Sequence, residues 1–192
     1  MLAASTAWWL VAVGAVSVAA AWFYTGGSKP YGYLGLGEVM VFVFFGLVAV
    51  LGTAYVQTEE LTLPGLSAAC GIGVLACAIL VANNLRDIPT DALVGKRTLA
   101  VVLGEDRTRH FYGLLIDLAL VALVGVALST TFYVLIALVA AKPALSALTL
   151  VLGDRATGPD LVPVLQLTGV AELVYAAGIF AGIAVSVALA SV

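Results

Sequence analysis

The chain reads as an all-α, polytopic transmembrane helical bundle, and three observations lead there. Of its 192 residues 63% are hydrophobic and only 10% charged, with a mean hydropathy of +1.17. A soluble globule carries about a quarter charged residues to cover its surface, so that class is excluded. Six apolar runs of about twenty residues, the length at which a helix crosses the hydrocarbon core, take up most of the sequence. Finally, Lys and Arg fall in, or toward, alternate polar segments, the pattern of a chain that crosses a bilayer repeatedly.

The spans fall at approximately 3–23, 38–57, 63–82, 110–128, 131–151 and 171–191. The first lacks the basic leader of an export signal and is long enough to span, so it is a retained helix. Its ends carry Trp8, Trp9, Trp22, Phe23 and Tyr24, as interfacial aromatics do. Glu38 opens the second span, where a carboxylate favours the positive end of the helix dipole. Cys70 and Cys77 are seven apart on one face of the third, too far along the axis for a disulfide and without metal-binding neighbours, so they are packing residues. The fourth opens with His110 at the interface and holds Asp117 about two turns inside. An ionisable group at that depth is a functional candidate by default. Lys142-Pro143 in the fifth predicts a kink or an early end, because proline removes an intrahelical donor. Glu172 reads as a helix-start charge of the sixth.

The linkers orient the chain. Segment 24–37 holds Lys29, segment 83–109 holds Arg86, Lys96, Arg97, Arg107 and Arg109, and segment 152–170 holds Arg155, with Lys142 in the helix leading to it. The alternate linkers, 57–61 and 129–130, hold neither Lys nor Arg, so all eight positive charges lie on or toward one side, the cytoplasmic one. Both termini then fall outside. A start on that side without a preceding span leads to the expectation that upstream helices are missing. Linker 24–37 is rich in Gly, Pro and Tyr and is not expected to be helical throughout, and an amphipathic piece near 162–167 is expected along the interface. The net charge of −3 says little about partners, and nucleic acid is not among those expected.

One polar island interrupts the hydrocarbon. Asn83-Asn84-Leu85-Arg86-Asp87 opens it, Asp91 follows, and Gly95-Lys96-Arg97-Thr98 closes it. Asp87 and Asp91 are four apart and share a face if the third helix continues, although Pro89 between them disfavours a regular helix. Two carboxylates suit Mg²⁺, a hard cation commonly held by one or two such groups plus water and substrate phosphates. Adjacent Arg86, Lys96 and Arg97 suit phosphate oxygens. Acids for a metal beside bases for phosphate point to a diphosphate. Spacing alone leaves open the plainer alternative of a solvated, orienting loop.

The sequence NNLRDIPTDALVGKRTLAVVLG resembles the second aspartate-rich motif of the UbiA-type intramembrane prenyltransferases, and its opening and close resemble the branch that acts on 1,4-dihydroxy-2-naphthoate. YTGGSKPYGYLGLGE at 24–38 and GPDLVPVLQLTGVAELVY at 158–175 resemble linkers of the same branch. The family fold has nine membrane helices and a first acidic motif between the second and third. The resemblance therefore implies that the six spans are the last six of nine, in a single membrane domain over 1–192 that is N-terminally truncated. It also implies Mg²⁺-dependent transfer of a polyprenyl group from polyprenyl diphosphate to 1,4-dihydroxy-2-naphthoate with decarboxylation, giving demethylmenaquinone, at the cytoplasmic side of a bacterial inner membrane. Asp87 and Asp91 would hold the metal and, with Lys96, form the catalytic set. Asn83, Asn84, Arg86, Arg97 and Lys29 would contact metal-bound water or diphosphate, and Tyr24 and Tyr31 would line the pocket. A different aromatic acceptor such as 4-hydroxybenzoate, or an inactive membrane fragment, remains an alternative. A small transporter would show pseudo-symmetric halves and charges paired within the bundle, and neither is evident.

Overall fold

A computed structural model describes residues 7–27 and 30–191. Among these the chain is helical throughout its apolar runs and contains no strand. Helix α1 covers Trp9–Thr25. Helix α2 covers Gly37–Thr58, α3 Leu63–Leu93, α5 Glu105–Ser129 and α6 Phe132–Gly153. The short α4 covers Leu99–Leu103, and α7 covers Val162–Ala190, preceded by a 3₁₀ turn at Gly158–Leu161. Five helices, counting that turn with α7, are long and apolar enough to cross a membrane, and the shorter α1 accompanies them. The protein is a multi-pass membrane helical bundle.

Helix α3 is the centre of the bundle. It packs along α5, against the middle of α2 and against α7, and residues on every side of it are buried, from Ala69, Gly71 and Val74 to Val81, Ala82 and Leu85. A helix enclosed on all sides must be apolar all round, as this one is through its first twenty residues. Small residues set the closest approaches. A Cβ on Gly46 of α2 would lie 2.6 Å from Gly73 Cα and 2.8 Å from the Ala69 carbonyl oxygen of α3. Gly178 and Gly182 of α7 lie just as closely on Ala137 and Val134 of α6. Between helices in lipid no hydrophobic driving force remains, so close backbone packing of this kind holds the bundle together.

Several boundaries differ from those expected. The third span is expected at 63–82, yet α3 runs eleven residues further, to Leu93, with Pro89 inside it. Pro89 lies on the exposed side near the helix end, where losing one backbone bond to Leu85 costs least, and Thr90 Oγ1 donates to the Asp87 carbonyl at 2.9 Å in the same turn. Hydropathy ends the span too early because the final turns are polar. For the same reason α5 begins at Glu105 rather than 110, with Glu105 and Asp106 in its first turn, where the dipole favours acids. The sixth span starts at Gly158 instead of 171. The 162–167 piece forms the first turns of α7 and is not a separate interfacial helix.

Lys142-Pro143 does not end the fifth span. The backbone is 3₁₀ over Phe132–Ala140 and α-helical from Ala141, so Pro143 falls in the first turn of the regular segment, where a missing donor is tolerated best. Residues 3–6 of the first expected span lie outside the described residues.

Candidate active site

The site follows from a difference in helix length. At 1.5 Å per residue, the 31 residues of α3 reach about 46 Å, well beyond a hydrocarbon core of about 30 Å. Helix α2 starts much deeper: Gly37 lies against Leu80, with a Cβ there only 3.3 Å from Leu80 Cδ2. The last thirteen residues of α3 therefore run past the start of α2. Linker 30–36 and loop 94–98 flank that overhang and hold each other, the Arg97 N–H donating to the Tyr33 carbonyl at 3.1 Å and the Lys96 ammonium lying 5.6 Å from the Tyr33 ring centre.

A glycine cap folds the loop back onto the helix. Gly95 has φ +73°, the Gly95 N–H donates to the Ala92 carbonyl at 3.3 Å, and the Lys96 N–H to the Asp91 carbonyl at 3.0 Å. This paired pattern is a Schellman motif, which needs a left-handed residue after the helix and so favours glycine. Its consequence is chemical: Lys96 returns beside Asp91. The Lys96 Nζ lies 3.2 Å from Asp91 Oδ1, where it meets hydrogen-bond geometry, and 3.1 Å from Oδ2, where it does not. The Asp91 side chain is 11% exposed.

One turn earlier, Asp87 is the hub of a second group. Arg86 grips it through Nε to Oδ1 at 2.8 Å and Nη2 to Oδ2 at 3.1 Å, while Asn83 Nδ2 donates to Oδ2 at 3.3 Å. Arg86 Nη2 also donates to Asn83 Oδ1 at 2.9 Å, closing the triad. Both ends of the Arg86–Asp87 pair are about 30% exposed, so water and a ligand can reach them. Asn84 is buried and faces α2, donating from Nδ2 to Glu38 Oε1 at 3.0 Å. The Arg97 side chain is exposed at the rim. Lys29 lies outside the described residues.

Tyr24 and Tyr31 stand at the end of α1 and in the following linker, rings edge to face with centres 5.6 Å apart. The Tyr31 hydroxyl donates to the Ala20 carbonyl, and burial raises this phenol above its ordinary range. Both line a cavity of about 590 Å³ between α1 and α2, whose other walls include Ala21, Val41, Phe44 and Val48. Apart from the two tyrosines and Ser17, the lining is apolar. The Tyr24 hydroxyl lies 3.5 Å from where a Gly37 Cβ would be, so the tyrosine end abuts the start of α2 and the overhang of α3.

The structure thus brings Asn83, Arg86 and Asp87 together, and Asp91 with Lys96, on the face that α3 repeats every three to four residues. Sequence reading missed three contributors. The cap at Gly95 shows only once α3 is known to run on to Leu93; Tyr33 beneath Lys96 and the Glu38–Asn84 bond each join segments far apart in the chain. Asp117 points outward among exposed Leu114, Leu118 and Val121, away from the site. His110 is exposed, as expected for the interface, its Nδ1 2.8 Å from the Asp106 carbonyl oxygen. Cys77 is buried and donates its thiol to the Glu38 carbonyl at 3.1 Å.

Two carboxylates and an amide oxygen are hard donors of the kind Mg²⁺ prefers; Asp87 and Asp91 are four residues apart on α3, Asp87 partly exposed and Asp91 buried, so the residue types fit such a cation entering from the Asp87 side. Among the described residues no group of three or more His, Cys, Asp and Glu converges.

The bundle of apolar helices is that of a membrane-embedded protein, and the chain belongs to the UbiA prenyltransferase family, whose model matches residues 1–167. It is similar to a Mycobacterium tuberculosis protein named 1,4-dihydroxy-2-naphthoate octaprenyltransferase, 52% identical over 184 residues, covering 96% of this chain and 62% of the relative. Proteins of the same name from Mycobacterium leprae and Escherichia coli are 51% identical over 175 residues and 45% over 111, covering 91% and 58% of this chain and 59% and 36% of those relatives. The chain thus spans about three fifths of the length of the mycobacterial relatives. No solved structure matches it.

Proposed function

We propose that this protein binds a polyprenyl diphosphate, together with Mg²⁺, at the overhang of α3, and that it serves transfer of the polyprenyl group to 1,4-dihydroxy-2-naphthoate with loss of the carboxylate, giving demethylmenaquinone. The observation that carries the reading is the two acid–base pairs set side by side at the end of α3: Asp87 with Arg86, and Asp91 with Lys96 of the following loop. Each acid is now neutralised by its own base. A diphosphate arriving with a divalent cation lets both pairs exchange partners, acids to the cation and bases to phosphate oxygens, without leaving a buried charge unpaired. The names of the relatives support the acceptor.

Asp87 and Asp91 would hold the metal, which when bound neutralises charge on the departing diphosphate. Arg86 and Lys96 bind the phosphate oxygens as they gain charge, and Asn83 holds the Asp87 carboxylate in place. Arg97 and Lys29 add positive charge at the rim. The tyrosines close one end of the largely apolar cavity, whose remaining walls suit an isoprenoid chain and exclude water from the allylic carbon. The two carboxylates and the bases around them lie at the cytoplasmic face of the bacterial inner membrane, on the side where Lys and Arg accumulate.

The purified chain in detergent is expected to bind farnesyl diphosphate only when Mg²⁺ is present, and chelation by EDTA releases it. Asp87→Ala is expected to weaken this binding by at least about tenfold, the scale of removing one charged partner from a partly buried site. Undiminished Mg²⁺-dependent binding by that variant overturns the site. The acceptor is read from the products formed with 1,4-dihydroxy-2-naphthoate and 4-hydroxybenzoate offered together, and preference for the second removes the naphthoate assignment.

A further inference from the structure

One buried carboxylate beside the site has no part in the chemistry above. Glu38, second residue of α2, is 5% exposed, as is Asn84. Asn84 Nδ2 donates to Glu38 Oε1 at 3.0 Å, and Glu38 Oε2 is enclosed with no hydrogen-bond donor among the described residues. A carboxylate that only served the helix dipole would do so from a solvated first turn, where it costs nothing to keep charged. Burying it with one oxygen unpartnered is unfavourable and calls for a further role.

That role follows from the chemistry of a primary amide. Its two ends are nearly isosteric, so packing scarcely distinguishes them, and their hydrogen-bond partners decide which way the group faces. A carboxylate oxygen accepts and does not donate, so Glu38 Oε1 can be met only by the NH₂ end of Asn84. With Nδ2 held against α2, the amide presents Oδ1, an acceptor, on its other side. Asn84, Asp87 and Asp91 are spaced by three and four residues and so share one face of α3. An acceptor there suits the waters of a divalent cation, which donate, and does not suit diphosphate oxygens, which accept.

We propose that Glu38 is a positioning residue that locks the Asn84 amide with its carbonyl oxygen toward the waters of a cation held by Asp87 and Asp91, so that Asn84 serves the cation and not the phosphate. This rests on the diphosphate reading of the site. Glu38→Gln removes the lock with little change of shape, because a glutamine can meet either end of the amide.

The test is calorimetric titration of Mg²⁺ into the purified chain with farnesyl diphosphate present, for wild type, Glu38→Gln, Asn84→Ala, the double variant and Asp87→Ala. Glu38→Gln and Asn84→Ala are each expected to raise the half-saturating Mg²⁺ concentration by about fivefold, the value of one hydrogen bond, and the double variant no further. Wild-type Mg²⁺ dependence in Glu38→Gln, or losses that multiply in the double variant, would overturn the lock. Asp87→Ala separates the two claims: if it retains Mg²⁺-dependent binding, the diphosphate site itself is wrong, and if it loses binding while Glu38→Gln is silent, only the role of Glu38 fails. Thermal unfolding identifies a misfolded variant. Should Glu38→Gln be one, Glu38→Asp, which withdraws the acceptor by one methylene, carries the same expectation and the same refutation.

Discussion

At the scale of single residues, two buried or capped positions decide more than their number suggests. Gly95 is the residue that places Lys96, since only its left-handed backbone returns the chain over Asp91. An alanine there is expected to cost about 1 kcal/mol in stability. It should also weaken Mg²⁺-dependent farnesyl diphosphate binding, whereas Val94→Ala, one residue earlier and exposed, should change neither. Arg109 is 1% exposed and bonds Glu105, the Val151 carbonyl at 2.7 Å and the Ala156 carbonyl at 2.8 Å. It satisfies carbonyls that the end of α6 and the loop after it would otherwise bury without a donor. The Glu105 end of the pair is half exposed and contributes little. Arg109→Met should therefore destabilise on the order of 3 kcal/mol, mostly through those carbonyls, read as a fall in the unfolding temperature in detergent. An unfolding temperature equal to wild type would remove that role.

At the scale of elements, the site exists because one helix outruns its neighbour. Helix α3 carries apolar residues while it is enclosed and changes to Asn, Arg and Asp about where α2 begins, Asn84 still meeting Glu38 of α2 and the rest lying beyond it. The register between the two is fixed where Gly46 meets Gly73, at a point where any side chain would strike backbone rather than a movable group. Gly46→Leu is expected to cost at least about 2–3 kcal/mol by overpacking and to displace the start of α2 from Leu80, so that diphosphate binding falls along with stability. If stability falls while binding survives in the folded fraction, the register does not position the site. Helix α2 is π-helical over Phe42–Leu51, the stretch that packs on α3 and walls the cavity, a geometry often found near functional sites.

At the scale of the whole molecule, charge distribution sets which end of the bundle carries the chemistry. The loop at 94–98 and the turn at 59–62 lie at opposite ends of α3, so they should face opposite sides of the membrane. Val94→Cys and Glu60→Cys, both at exposed positions, should react with a membrane-impermeant maleimide from the cytoplasmic and the outer side respectively. Labelling of both from one side would refute the arrangement, and labelling from the reverse sides would refute the cytoplasmic site. Cys70 and Cys77 are half-buried and buried within the bundle, which limits background reaction.

Composition and the length of apolar runs sufficed to define an all-α membrane bundle, because lipid offers backbone groups no partner and leaves the helix as the local solution for each span. The acidic pair and its neighbouring bases were likewise legible, since they lie within fifteen residues of chain. Hydropathy could not tell that α3 continues through Pro89, or that α7 begins at its linker, because a helix that leaves the membrane keeps its geometry while its side chains turn polar. Only the tertiary structure decided that Glu38, 46 residues away, would face Asn84, and that Asp117 would turn outward. Such pairings depend on how helices are set against one another along their axes. That setting comes from glycine-to-backbone packing between distant segments, which no local pattern in a single chain encodes.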